Sequence, residues 1–297
     1  MDDFSGRIAV ITGGGTGMGR ELVRQLAAAG CDVATCDLSE AAMAETRDLA
    51  RADASDVTIS THECDVSDED AMLAFRDEVV EQHQTDHINL LFNNAGLSGG
   101  GSLFTSSREG WDRCFAVCWG GVYYGTRTFL PLLVAADRGH IVNTSSVNGF
   151  WASLGPDRPH TAYSAAKFAV KGFTEALLTD LQVNAPHVGA SVVMPGHIGT
   201  SIVANSMRYG ADDVPAEMAA MMDTAAELFR TEAPLTAAEA ATIILDGVRA
   251  GRWRILVGED ARALDAAVRA DPEAAYDGTT MLDTMRVAGG KALLPPS

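Results

Sequence analysis

Short β-branched apolar runs alternate along the chain with longer stretches whose apolar residues recur every three to four positions. The first run, "RIAVIT", leads into a glycine cluster and then "RELVRQLAAAG", which has helical periodicity. "CDVATCD" predicts a second strand, residues 39–52 a helix, "VTISTHECDV" a third strand with its exit, and "DEDAMLAFRDEVVEQH" a helix. "INLLFNNAG" predicts a fourth strand ending in a polar turn, followed by a long helix from about Glu109 to Ala135. "GHIVNTSS" is strand five, the stretch around "YSAAKFAVKGFTEALLTDLQ" a helix, and "VGASVVMPG" strand six. "TAAEAATIILDGVRAG" predicts a helix and "WRILVG" a seventh strand.

This alternation predicts an α/β chain with a parallel sheet covered by helices on both faces. No linker, repeat or low-complexity segment divides it. Two segments break the rhythm: the insertion "GFWASLGPDRPH" and the stretch between Pro195 and Leu235. Long loops in compact domains are usually functional. The tail after Gly258 is less regular.

Composition narrows the class. The 297 residues are 47% hydrophobic and 21% charged, as in an ordinary globular protein long enough for one large core. Lys and Arg number 22 against 40 Asp and Glu, a net charge of −18. Such a surface repels phosphate backbones, so no nucleic-acid partner is expected. No apolar run is long enough to span a bilayer, and "MDDFSGR" lacks a signal peptide's basic start. The five cysteines (Cys31, Cys36, Cys64, Cys114 and Cys118) show no CxxC spacing. They are read as reduced thiols of a cytoplasmic protein, with no metal site and no membrane partner.

"ITGGGTGMGRELV" places Gly13, Gly17 and Gly19 between the first strand and helix. Glycines there allow a tight turn and close backbone approach to a ligand, and the helix N-terminus favours a pyrophosphate. The spacing is G-x-x-x-G-x-G, neither G-x-G-x-x-G nor a Gly-Lys-Ser/Thr loop. A plain flexible turn is the alternative. Asp37 ends the second strand, 18 residues after Gly19. A carboxylate there can accept from both ribose hydroxyls of an adenosine and would repel a 2′-phosphate. A helix-cap role is its alternative, with Ser39 competing for it. Thr16, not a cation, precedes Gly17, and Arg20 is the only cation nearby. NAD is therefore favoured over NADP.

"TAYSAAKFAV" puts Tyr163 and Lys167 one helical turn apart on one face. They are either a core phenol with a snorkelling amine or a proton-transfer pair. The ordered set "TGGGTGMG", Asp37, "CDV" (64–66), "NNAG" (93–96), "IVNTSS" (141–146), "YSAAK" (163–167) and "PGHIGT" (195–200) resembles the classical short-chain dehydrogenase/reductase family over residues 5 to 258. The resemblance implies one Rossmann-type doubly wound domain with a seven-stranded parallel sheet. It would span residues 1–258, with a substrate lid at about 197–234 and a C-terminal extension at 259–297.

The same resemblance implies Tyr163 as acid/base, Lys167 as its electrostatic partner and ribose ligand, and Ser146 as donor to the substrate oxygen. Ser145 would be a strand-end hydroxyl bonded to backbone. Gly13, Thr16, Gly17, Met18, Gly19 and Asp37 would hold one end of NAD. Asp65 and Val66 would hold the adenine, and Asn93, Ala95 and Gly96 the central stretch. Pro195, Gly196, Ile198 and Thr200 would surround the carboxamide and pyrophosphate. One of Asn93 and Asn94 would instead tie strand four to its neighbours. A homotetramer, or a dimer, is also implied.

The sequence departs from the family in "FAVCWGGVYYGTR", where Cys118 replaces an asparagine that kinks the helix and holds a relay water through its carbonyl. Gly120 and Gly121 would permit a similar bend, with Cys118 an inert packed thiol and Arg113 its only cation nearby in sequence. In the lid, Met207, Met218, Met221, Met222, Tyr209 and Phe229 suggest an apolar wall, with Trp151 a further substrate contact. Arg208 and Arg230 form no cationic cluster. The expected substrate is an uncharged, hydrophobic secondary alcohol or ketone. A catalytically weak NAD(H)-binding regulator is the competing reading, motivated by Cys118.

Overall fold

A computed structural model describes residues 3–54, 56–153, 159–210 and 216–277. Its strands are β1 (Ile8–Thr12), β2 (Asp32–Asp37), β3 (Ile59–Glu63), β4 (Leu90–Asn93), β5 (Gly139–Thr144), β6 (Val188–Pro195), β7 (Ile198–Gly199), β8 (Leu235–Thr236) and β9 (Arg254–Val257). Seven form one parallel sheet in the order β3-β2-β1-β4-β5-β6-β9; β7 and β8 pair separately. The fold is the Rossmann-type doubly wound sheet expected from the sequence.

The helices are α1 (Gly17–Ala28), α2 (Glu40–Asp53), α3 (Glu69–His83), α4 (Arg108–Phe115), α5 (Gly121–Ala135), α6 (Thr161–Asn184), α7 (Ile202–Tyr209), α8 (Ala216–Thr231), α9 (Ala237–Arg249) and α10 (Glu259–Ala270). Alternation along the strands sorts the core into two layers. Ala9, Ile11, Leu90 and Phe92 pack against Leu22 and Leu26 of α1 and Ile244 and Val248 of α9. Val10, Leu91 and Ile141 face the other way, onto Phe75 of α3, Phe129 of α5 and Leu181 of α6. Burying each such side chain contributes about 1.5–3 kcal/mol. Side chains set the helix starts: Ser39 accepts from the Ala42 amide, Asp68 from those of Asp70 and Ala71, and Thr236 forms a capping box with Glu239. Ser39, not Asp37, is thus the cap of α2.

Strand order reverses between β1 and β4, which opens a crevice at their C-terminal ends. No helix among the described residues is long and apolar enough to cross a membrane.

Three sequence expectations need correction. The long helix is interrupted: α4 and α5 are joined by a π-helical turn, Ala116–Gly120, centred on Cys118. The tail after Gly258 is regular, because α10 carries a buried face of Ala261 and Leu264. Arg254 of β9 bonds Asp265 through both terminal nitrogens and pins the helix to the sheet. Trp151 is not a cleft residue. It is buried beneath α10 with Phe150, and its indole N–H donates to the Ala275 carbonyl at 2.8 Å. Residues 154–158 of the insertion lie outside the described residues.

Candidate active site

A cleft of about 370 Å³ follows the crevice from the β1–α1 turn to α10. At its start Gly13 has φ +70°, and a Cβ there would lie 2.8 Å from the Ala95 Cα. The turn is therefore pressed against the β4 exit and leaves its open side to the cleft. Thr16, Gly17 and Met18 line that side. Gly19 does not: a Cβ on it would lie 2.0 Å from the Gly13 carbonyl oxygen, so its part is to let α1 pack on the turn.

Asp37 faces the same end. Its Oδ2 accepts from the Gly15 amide at 2.9 Å and its Oδ1 from the Ser39 amide at 3.2 Å. Arg20 is engaged elsewhere, donating to the Gly15 carbonyl, Thr46 and Glu45. The charge presented to a ligand at this end is accordingly negative.

Further along, Asp65 and Val66 line the wall. Burial pushes the Asp65 carboxyl up, but Ser67 and the Arg113 guanidinium, 2.8 Å away, hold it below the usual carboxylate range. Arg113 therefore serves Asp65; it was not singled out in the sequence as a cleft residue. Ala95 and Gly96 line the central stretch, but Asn93 does not. Its amide is buried, donating to Asn143 at 2.8 Å and Thr126 at 3.1 Å, and so ties β4 to β5 and α5. Asn94 is the cleft residue of the pair.

Ser146, Tyr163 and Lys167 meet at the bottom of the cleft, all at most 8% exposed. β5 delivers the serine; the first two turns of α6 deliver the phenol and the amine. Lys167 Nζ donates to the Thr144 carbonyl at 2.8 Å and lies 5.4 Å from the Tyr163 ring centre. Ser145 donates to the Lys167 carbonyl at 2.7 Å, the backbone-bonding part expected of it. Burial, reinforced by the neighbouring Cys118, raises the Tyr163 pKa, while a hydrogen bond with Ser146 opposes the rise.

Cys118 is fully buried, as expected of a packed thiol, and donates to the Leu97 carbonyl at 3.1 Å. It is not electrostatically inert. A hydrogen bond from Cys114 lowers its pKa to about 6 against the pull of burial, and the Lys167 ammonium adds to the lowering. Its cation comes from α6, a tertiary contact that no local spacing reveals, whereas Arg113 is committed to Asp65. On ionising, Cys118 exchanges its bond to Leu97 for attraction to Lys167.

The "PGHIGT" segment closes the cleft's far wall through Pro195, Gly196, Ile198 and Thr200. A Cβ on Gly196 would meet the Asp260 carboxylate at 2.2 Å. Asp260, the second residue of α10, accepts from the amides of His197 at 2.6 Å and Ala261 at 2.9 Å. Helix α7 meets both sides of the cleft: Asn205 donates to Thr16 at 3.0 Å, and Ser206 accepts from the Ser98 amide at 2.7 Å. Tyr209 and Phe229 line the cleft, but neither of the two expected methionines with described side chains does. Met207 is not among the lining residues, Met221 is 75% exposed, and the side chains of Met218 and Met222 lie outside the described residues. Asp260, Asn205 and His160 were missed in the sequence, since each reaches the cleft only through the fold.

Comparison with known proteins gives this geometry a family. Residues 7–209 match the short chain dehydrogenase model. The chain is 37% identical over 270 residues to SadH of Mycobacterium tuberculosis, whose name places it among oxidoreductases; 91% of this chain and 92% of that one are covered. Levodione reductase of Leifsonia aquatica is 30% identical over 208 residues, covering 69% and 74% of the two chains. A short chain dehydrogenase/reductase from Burkholderia phymatum, solved in complex with NAD, superposes with a TM-score of 0.79 at 32% identity, covering 92% of this chain and 95% of that one. The chain belongs to the short-chain dehydrogenase/reductase family of oxidoreductases.

Proposed function

We propose that the protein is an NAD-dependent oxidoreductase interconverting a hydrophobic secondary alcohol and its ketone, with Tyr163 moving the proton at the substrate oxygen. The observation that carries this reading is the meeting of buried Ser146, Tyr163 and Lys167 in a cleft whose other end is faced by Asp37. The residues fit the cofactor. The glycine turn offers the open backbone that a pyrophosphate needs, and the unopposed Asp37 carboxylate suits two ribose hydroxyls and repels a 2′-phosphate. When bound, the nicotinamide supplies the hydride acceptor or donor.

The chain's own residues handle the oxygen and its proton. The Ser146 hydroxyl orients the substrate oxygen toward the phenol. Lys167, fixed by the Thr144 carbonyl, sets its positive charge beside Tyr163 and favours phenolate when the proton has left. Because burial raises the Tyr163 pKa, the phenol is protonated at neutral pH and suited to donate. Ketone reduction should therefore dominate near neutrality, and alcohol oxidation, which needs phenolate, should climb with pH. The lid of this reading is the segment at about 197–234, Tyr209 and Phe229 give the apolar wall, and five thiols free of disulfides accord with a reducing cytoplasm.

Steady-state kinetics with a panel of hydrophobic ketones and both cofactors tests the reading. The expected result is a higher kcat/KM with NADH than with NADPH, and a shift toward NADPH in Asp37→Ser. A native preference for NADPH would contradict the assignment of Asp37.

A further inference from the structure

Beyond the proton-transfer trio, two neutral polar groups share one corner of the cleft. His160 immediately precedes α6, and its ring stacks on that of Tyr163, with centres 4.6 Å apart and planes 18° from parallel. The imidazole is 9% exposed, and burial lowers its pKa to about 4, so it is neutral at working pH. Its Nδ1 is buried without a partner among the described residues, and its Nε2 lies 3.3 Å from the Ser98 hydroxyl, long for a hydrogen bond to oxygen. Ser98 is held in place by the hydrogen bond that its backbone amide donates to the Ser206 hydroxyl. Both residues line the cleft, whose lining also includes Leu97, Tyr209, Phe229 and Leu264. Polar groups facing an apolar cleft are costly unless hydrogen-bonded.

We propose that Ser98 and His160 form a second hydrogen-bonding site for the substrate, taking an uncharged oxygen, hydroxyl or keto, carried close to the reacting carbon. This rests on the reading of the cleft as an alcohol/ketone site. A neutral imidazole and a hydroxyl can each donate and accept, so they serve ketone and alcohol oxygens alike. Neither brings a charge for a carboxylate or phosphate. The lining cations Arg113 and Lys167 are already bonded to Asp65 and to the Thr144 carbonyl. The substrate class is therefore a neutral diketone or hydroxyketone, not a simple ketone. The stack on Tyr163 places the second oxygen beside the first.

The test compares cyclohexanone with cyclohexane-1,2-dione and cyclohexane-1,4-dione in the unmodified protein and in Ser98→Ala, His160→Phe and His160→Gln. The unmodified protein should favour one dione over the monoketone by at least about tenfold in kcat/KM, the factor one hydrogen bond commands. That ratio should collapse toward one in Ser98→Ala and His160→Phe. His160→Gln, which keeps a donor and an acceptor, should recover part of it. An equal slowing of both substrates with the ratio unchanged would overturn the proposal, leaving His160 a buttress for Tyr163. If the unmodified protein reduces none of these ketones, the functional reading fails, and calorimetry with cyclohexane-1,2-diol decides the site by itself. Binding weakened about tenfold in His160→Phe supports it; equal or absent binding overturns it.

Discussion

Cys118 shows how one side chain sets the working pH of another. Its ionised form would stand near both Lys167 and Tyr163, and an anion there opposes formation of phenolate. Cys118→Ser removes that charge, so the phenol pKa should fall and alcohol oxidation should begin at lower pH. The expected displacement of the ascending limb is about one pH unit, measured from kcat between pH 6 and 11. An unmoved limb would mean that the thiol stays neutral, and an upward shift would reverse the sign of the argument. Asp37 behaves more simply. Its two oxygens already hold the Gly15 and Ser39 amides, so Asp37→Ser should loosen the turn as well as admit NADP. NAD should then lose about tenfold or more in affinity. Unchanged NAD affinity by fluorescence titration would show that the carboxylate does not touch the cofactor.

Two elements carry consequences for the site. The π-helical turn Ala116–Gly120 inserts an extra residue into the α4–α5 helix and turns Cys118 inward. Helix α10 lies beyond the matched family segment, yet it plants Asp260 against the Gly196–His197 backbone. Burying a carboxylate on two backbone amides is stabilising only while both bonds stand. Asp260→Ala should therefore cost about 1.5–3 kcal/mol in urea unfolding. It should also weaken NADH binding, because the "PGHIGT" wall loses its brace. A variant with native stability and affinity would make α10 mere packing.

At the scale of the molecule, the seven-stranded parallel sheet and its helical cover on both faces were legible in the chain, while the strand order was not. Period-two and period-3.6 patterns survive folding unchanged. Of the trio, Tyr163 and Lys167 were legible as neighbours on one helical face, whereas Ser146 and the roles of all three came from the family resemblance. The tertiary partners were not legible. Asn93 reads like a ligand residue until Asn143 and Thr126 claim its amide, and Trp151 reads like a substrate contact until α10 covers it. The homotetramer, or dimer, that the family resemblance implies is an expectation at this scale too. Tyr123 on α5 is 37% exposed and Phe168 on α6 is 42% exposed, aromatic surface that association of these helices would cover. Sedimentation at micromolar concentration should give a tetramer, and Tyr123→Glu with Phe168→Glu smaller species; a monomeric parent protein would refute it.

The central claim is that Tyr163 moves the proton while the rest of the cleft holds cofactor and substrate. Tyr163→Phe removes one oxygen from a buried ring whose stack on His160 and packing are otherwise retained. Its turnover of a ketone by NADH, measured alongside NADH binding by fluorescence, is the most direct test. The account predicts a loss of about 10²–10⁴-fold in kcat with binding nearly unchanged. A Phe variant that binds NADH and turns over at a near-normal rate would contradict it.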